Sequence, residues 1–330
     1  MFFESFILFL INFFIAYKLS PILRNIGYKL DLIDRPEARK INKRALVRVG
    51  GICFIISFII SLIIIIFYTK YNLVTSDGYK NFFSISIIIS LLSFLLGFAD
   101  DVKSVSPIFR LFMQITISAF VWIYGIQITN IDISFLRLNV EFIQLNKLIS
   151  FFLTIIWITG ITNAINWIDG LDGLASSLVG VSSLSLGILI MVEGNIQEGL
   201  VLIGISGSCL GFLIFNSYPA KLIMGDGGSY FLGFNLGYLS ILGSSSYLVF
   251  DSLNVYTQKL YIFILIFAIP LFDMVYVILV RLLSGQSPFY PDNNHIHHRL
   301  MKYGLTHEKT VRVLTGTNVI ICIFSLIILS

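Results

Sequence analysis

Runs of about twenty apolar residues recur along the whole of this chain, and none of the intervals between them is long enough for a large soluble domain. A helix rises 1.5 Å per residue, so roughly 20 such residues cross the ~30 Å hydrocarbon layer of a bilayer. Windows of that kind fall near 2–22, 49–68, 82–99, 108–126, 147–163, 175–192, 198–215, 228–246, 259–282 and 313–329. Composition agrees: 57% of the 330 residues are hydrophobic, only 12% are charged, and mean hydropathy is +0.91. A soluble domain has about 25% charged residues. The expected fold is therefore all-α: a polytopic membrane protein of about ten transmembrane helices, with 1–330 forming one integral membrane domain.

The first run, MFFESFILFLINFFIAYKLS, lacks a basic leader and a small-residue cleavage site, so it reads as a retained span. Cys53, Cys209 and Cys322 lie inside apolar runs and read as small core hydrophobes. The sixth and seventh spans, separated by 193–197, form a tight helical hairpin. Lys and Arg orient the stack. The loops after odd-numbered spans and their margins hold seventeen of the 22 basic residues, while the other side holds Lys70, Lys80, Arg137, Lys147 and Lys259. By the positive-inside rule the first set is cytoplasmic and both termini lie outside. Most of the basic residues in 24–48 serve that topology alone. The segment 127–146 alternates apolar and polar residues and is expected to form a short external β-hairpin.

Polar groups close to spans are costly, so their positions carry information. Asp100 and Asp101, in LGFADDVKSVSP, are adjacent carboxylates that need a cation or basic neighbour. They read either as a polar helix end or as a magnesium ligand and base. In NAINWIDGLDGLASS, Asn163, Asn166, Asp169 and Asp172 recur every third residue and share a face if the helix continues; the spacing is not that of an EF-hand. In KLIMGDGGSYFLG, Asp226 lies among Gly225, Gly227 and Gly228 just before the eighth span. Amides opening that helix attract phosphate and the carboxylate suits magnesium, but the G-K-[ST] ending of a P-loop is missing. In SPFYPDNNHIHHRL, His295, His297, His298 and Arg299 lack zinc-ligand spacing and read as a cationic cluster for phosphate or as a solvated loop. Span nine adds Asp273, with Pro270 expected to kink or break the helix, and Arg281 on the same face but too distant for a simple pair. All these groups fall on one side of the predicted topology. Acids, amides and basic groups converging on one face suit a magnesium-dependent site for a phosphate-rich substrate. A transporter would instead show related halves with paired broken spans, and no such repeat is present.

At these residues the chain resembles the polyprenyl-phosphate N-acetylhexosamine-1-phosphate transferase superfamily. The match covers RVGG after the basic first loop, then ADD, NAINWIDGLDGLA, MGDGGS and HIHH, in family order and over nearly the whole chain. The HIHHRL form resembles the branch that uses UDP-GlcNAc. The resemblance implies a single transferase domain in the bacterial inner membrane with its active site on the cytoplasmic face. Undecaprenyl phosphate would attack the β-phosphate of a UDP-N-acetyl sugar, releasing UMP and starting a cell-surface glycan. It implies that Asp226 and Asp169 hold Mg2+ (or Mn2+) and that Asp100 and Asp101 are catalytic. Asn163, Asn166, Asp169, Asp172, His295, His297, His298, Arg299 and Arg48 are the implied substrate-binding residues. The partners so implied are the sugar nucleotide, the lipid phosphate, the bilayer and possible homodimer contacts, with no nucleic acid. Asn42 replaces a family histidine, Val47 a proline, and Ile223 a phenylalanine that can stack on uracil. These departures leave the sugar open, with UDP-MurNAc-pentapeptide, UDP-QuiNAc and UDP-FucNAc as alternatives to UDP-GlcNAc.

Overall fold

The computed structural model describes residues 2–34, 45–71, 77–136, 142–243, 246–250, 253–257, 259–290 and 292–329. The chain runs α1 (Phe2–Lys29), β1 (Ile33–Asp34), β2 (Leu46–Val47), α2 (Gly51–Tyr71), α3 (Asp77–Val102), α4 (Pro107–Ile123) and β3 (Asn130–Asp132). After a 3-10 turn at Ser134–Leu136 come β4 (Phe142–Gln144), α5 (Lys147–Ile168), α6 (Leu174–Val192), α7 (Ile196–Asn216) and α8 (Gly225–Gly243). The last elements are β5 (Ser246–Phe250), β6 (Leu253–Thr257), α9 (Leu260–Ile266), α10 (Ala268–Leu283), α11 (Ile296–Lys302) and α12 (His307–Leu329). Six helices among the described residues are long and apolar enough to cross a membrane: α1, α3, α5, α6, α7 and α12. The α9–α10 pair, bent by 85°, makes a seventh if taken as one span.

The helix α8 is the hub, packed against α3, α5 and α2 and buried at nearly every position. Its glycines and Asn235 dilute its hydropathy, which it tolerates because protein rather than lipid surrounds it. Asn235 accepts from Ser90 of α3, and the Trp157 indole of α5 donates to Ser240. On the other flank, α7 packs against α1, α2 and α6. There Ser61 of α2 donates to Asn12 of α1. Such interhelical bonds contribute about 0.6 kcal/mol each in a bilayer, so they fix register more than they drive assembly.

The break in span nine falls at Phe267, three residues before Pro270. Proline has no N–H, so the Ile266 carbonyl four residues earlier loses its helical donor. Ser182 of α6 supplies one instead, donating to that carbonyl over 3.1 Å, and Asn318 of α12 donates to Ser182 in turn. The broken backbone is thus satisfied inside the protein.

The expected hairpin in 127–146 is present as antiparallel β3–β4, and α6 and α7 form the tight helical pair around 193–195. A second hairpin, β5–β6, follows α8; its first strand begins at Ser246, where span eight is expected to end. The pair β1–β2 brackets 35–44, which lies outside the described residues together with Asn42. Helices α3, α5, α7 and α10 end, and α2, α4, α6, α8 and α12 begin, at one end of the bundle. The described segments with Asp100 and Asp101, Asn166, Asp226 and the histidines lie there.

Candidate active site

Asp100 and Asp101 are successive helical residues, so their side chains leave α3 roughly 100° apart and find different partners. Asp101 reaches the start of α8, where its carboxylate accepts from the backbone N–H groups of Asp226 (2.8 Å) and Gly227 (2.9 Å). It caps a helix in a distant part of the chain and meets that helix's positive end. Gly97, one turn earlier, makes this possible: a Cβ there would overlap the Asp226 backbone. The amides opening α8, expected from the sequence to attract phosphate, are therefore occupied by Asp101. Asp100 accepts from Val105 N and from Arg110 Nη1 at the start of α4 (2.5 Å).

Arg48, just after β2, joins the two acidic segments. Its Nε lies 2.7 Å from Asp101 Oδ1 and its Nη2 2.9 Å from Asp226 Oδ2. Burial alone would lower the Arg48 pKa, but Asp226 and Asp101 outweigh it and hold the guanidinium above its ordinary value. The other Asp226 oxygen accepts from Asn166 of α5, whose amide also donates to Ser229. Asp169 terminates α5 close to this group. Burial, then the Asp226 carboxylate, pushes its carboxyl well above the ordinary range.

The remaining sequence candidates lie around this cluster. Asn163 sits one turn deeper in α5 and donates to Gln114 of α4 and to Thr159 O. The third-residue spacing of 163–172 does not stay on one face, because α5 ends at Ile168. Asp172 turns toward 217–221, where it accepts from Ala220 N (2.9 Å). His295 bonds Asp273 of α10, and Arg299 lies over the Tyr276 ring, 4.5 Å from its centroid. His297 is buried against Gly170 with neither ring nitrogen hydrogen-bonded. Burial, then His298 and His295, lowers its pKa to about 2, so the histidine cluster is not uniformly cationic. Burial also lowers His298.

Three contributors lie outside the site residues expected from the sequence. Arg110 had been counted only as a topology charge at a span margin; its signal is the short SVSP turn that returns it to Asp100. Asn216 accepts from Gly173 N and Ser176 and donates to Leu222 O, tying the 169–177 loop to the one before α8. Asp273 had been noted as an intramembrane acid without a partner. Two of the departures noted above prove to be neighbours: Ile223 N donates to Val47 O, and Gly50 N donates to Ile223 O.

The carboxylates offer hard oxygen donors of the kind Mg2+ takes, and the ion is commonly held by one or two carboxylates with substrate phosphates completing its shell. Asp226 and Asp169 supply two such groups, and the like-charge pressure on Asp169 is what a cation would relieve. Among the described residues, no cluster of three or more potential ligands is arranged for a metal. Two carboxylates fit an ion whose shell substrate phosphates complete.

Comparison with known proteins places this geometry. The sequence model of glycosyl transferase family 4 matches residues 82–244, which include Asp100, Asp101, Asn166, Asp169 and Asp226. A Bacillus subtilis (strain 168) protein named as a probable undecaprenyl-phosphate N-acetylglucosaminyl 1-phosphate transferase is 30% identical over 306 residues, covering 93% of this chain and 80% of its own length. The chain belongs to glycosyl transferase family 4. Within family 4 it is also 28% identical over 284 residues to a Thermotoga maritima undecaprenyl-phosphate alpha-N-acetylglucosaminyl 1-phosphate transferase, covering 86% of this chain and 78% of that one. A Prochlorococcus marinus (strain MIT 9515) phospho-N-acetylmuramoyl-pentapeptide-transferase is 30% identical over 250 residues, 72% of this chain and 67% of its own. This family 4 chain gathers its Arg48, Asp100, Asp101, Arg110 and Asp226 groups at one end of a membrane-type bundle, as a transferase joining a lipid to a polar donor requires.

Proposed function

We propose that this chain transfers GlcNAc-1-phosphate from UDP-GlcNAc to undecaprenyl phosphate at the cytoplasmic face of a bacterial cell membrane. In this reading α1 to α8, the α9–α10 pair and α12 make ten crossings and both termini lie outside. The observation that carries it is the Arg48–Asp101–Asp226 cluster beside Asp100–Arg110: paired acids and guanidinium groups at one membrane-type end. The names of the two N-acetylglucosaminyl relatives support the donor and acceptor.

A phosphate oxygen of the lipid attacks the donor's β-phosphorus. The bridging P–O bond breaks, and its electron pair leaves with UMP. Asp226 and Asp169 would hold Mg2+, which would supply Lewis-acid stabilisation of the phosphoryl charge. Arg110 holds Asp100 beside the entry of α4, where Asp100 positions the incoming lipid phosphate. Asp101 sets the start of α8 and therefore the aim of Asp226. Asn166 and Arg48 hold the two Asp226 oxygens, so the carboxylate cannot rotate away. Preorganised charge of this sort is usually the largest contribution to such reactions.

The test supplies purified protein with Mg2+, undecaprenyl phosphate and a panel of labelled UDP-N-acetyl sugars. UMP release should be fastest with UDP-GlcNAc, and Asp226→Asn should lower kcat by roughly 100- to 1,000-fold. Preference for UDP-MurNAc-pentapeptide would change the assigned sugar. No turnover with any member of the panel would overturn the enzyme reading.

A further inference from the structure

The broken helix α10 carries Asp273, whose side chain is only 1% exposed. Both of its oxygens face the histidine segment: Oδ2 lies 2.7 Å from His295 Nδ1, and Oδ1 accepts from Ile296 N at 2.6 Å. A carboxylate acceptor on Nδ1 places a proton on that nitrogen and leaves Nε2 as the nitrogen that faces outward from the pair. The indole of Trp167 meets the His295 ring edge-on, with centroids 6.0 Å apart, which limits rotation. The ring borders a cavity of about 180 Å3 lined also by Arg110, Arg281, Trp167, Phe289 and Tyr290. Arg110 is the partner of Asp100, and Arg281 is held by Asp292 while lying over Trp167. The other groups near His295 are His297 and His298 of α11.

Each basic group bordering this cavity is thus braced by a carboxylate: Arg110 by Asp100, Arg281 by Asp292, and His295 by Asp273. We propose that Asp273 is a positioning residue that fixes the His295 ring through its Nδ1, so that the Nε2 edge is presented to the cavity for a substrate phosphate oxygen. The inference rests on the phosphotransferase reading above and assigns the working nitrogen within it. Asp273 touches no substrate; it acts through the ring. An intramembrane acid is costly, and this use accounts for its place on α10.

Two isosteres separate the ring nitrogens. The amide of His295→Asn replaces Nδ1–H and keeps the bond to Asp273, whereas that of His295→Gln places an N–H near the Nε2 position. UMP release by the full-length enzyme should be at least 10-fold faster in His295→Gln than in His295→Asn; the reverse order would overturn the proposal. Asp273→Asn should lower kcat about 100-fold, with KM for the UDP-sugar changed less than 3-fold and partial recovery in Asp273→Glu. In a His295→Asn background the same change should add less than 3-fold, and a full additive loss would assign Asp273 a structural role instead. 15N spectra of histidine-labelled wild type should show one ring with a strongly hydrogen-bonded Nδ1, and that signature should be lost in Asp273→Asn whether or not turnover is measured. Should wild type release no UMP with any UDP-sugar, the phosphotransferase reading fails; with an active wild type, the variants decide the role of Asp273.

Discussion

The two ends of the bundle are made by the same helices and treat charge in opposite ways. At the candidate site, Arg48 bridges two carboxylates on different helices, Arg110 and Arg281 each hold one more, and Asp273 holds a histidine. Most of these acids are nearly fully buried. At the far end, Lys259 pairs with Glu193 beside the small β3–β4 hairpin. A buried charge that loses its partner costs several kcal/mol. The difference teaches that charge at the site end is retained despite its cost to folding. That is the pattern of a functional constellation rather than of a stabilising one.

The sharpest test compares two adjacent residues. Asp101 has three donors, two of them backbone amides of α8, whereas Asp100 is held by Arg110 and Val105 N. Asp101→Asn leaves a neutral acceptor for one amide at most and strips Arg48 of a charge partner. We expect a stability loss of about 3 kcal/mol, within the range for breaking a buried pair, and near-complete loss of UMP release. Asp100→Asn should reduce kcat by roughly 100-fold or more while thermal stability in detergent falls by less than half as much. Equal stability losses in the two variants would erase the distinction between an acid that builds the site and one that works in it.

The chain's pattern made much of this visible in advance. Apolar runs placed the long helices, six of which are long and apolar enough to cross a membrane, since a bilayer demands long uninterrupted runs, and the position of Pro270 foretold a broken span. Basic-residue bias placed all the polar loops together. The partners of each polar group were not legible, because they join residues far apart in the chain: Asp101 with the amides of 226 and 227, Asp273 with His295, Asp172 with Ala220. Spacing within a motif also misled where a helix stopped. The i, i+3 pattern from Asn163 to Asp172 runs past Ile168, so its last member faces another loop. Arg110 looked like a topology charge because single-residue charge counts do not show a turn closing back on an acid.

His297 offers a second, smaller test within the site end. Its ring is 1% exposed, and burial holds its pKa near 2 against about 6.5 in an unfolded chain. Between those values the unfolded state binds the extra proton, so stability rises with pH and is lost as pH falls below about 6.5. Each pH unit in that window contributes at most about 1.4 kcal/mol, giving about 2 kcal/mol between pH 6.5 and 5. The melting temperature of wild type should fall more steeply over this interval than that of His297→Gln, and the two curves should run parallel above pH 7. Parallel curves at all pH values would mean that the ring is solvated and chargeable, which would make the whole histidine segment a cationic surface.

The smallest effect belongs to the far end. Lys259 Nζ sits 2.7 Å from Glu193 Oε1, with side chains 21% and 11% exposed, and burial raises the Glu193 carboxyl against the pull of its partner. Lys259→Met removes the cation while keeping an unbranched stem, and the buried acid can then take up a proton rather than stay charged. The loss should be about 1 kcal/mol or less, with UMP release unchanged within 2-fold. A 10-fold fall in turnover would mean that the helices relay strain from this pair to Asp226 through α6 and α8. The two ends would then form one energetic unit, and the buried charges at the site could no longer be assigned to chemistry alone.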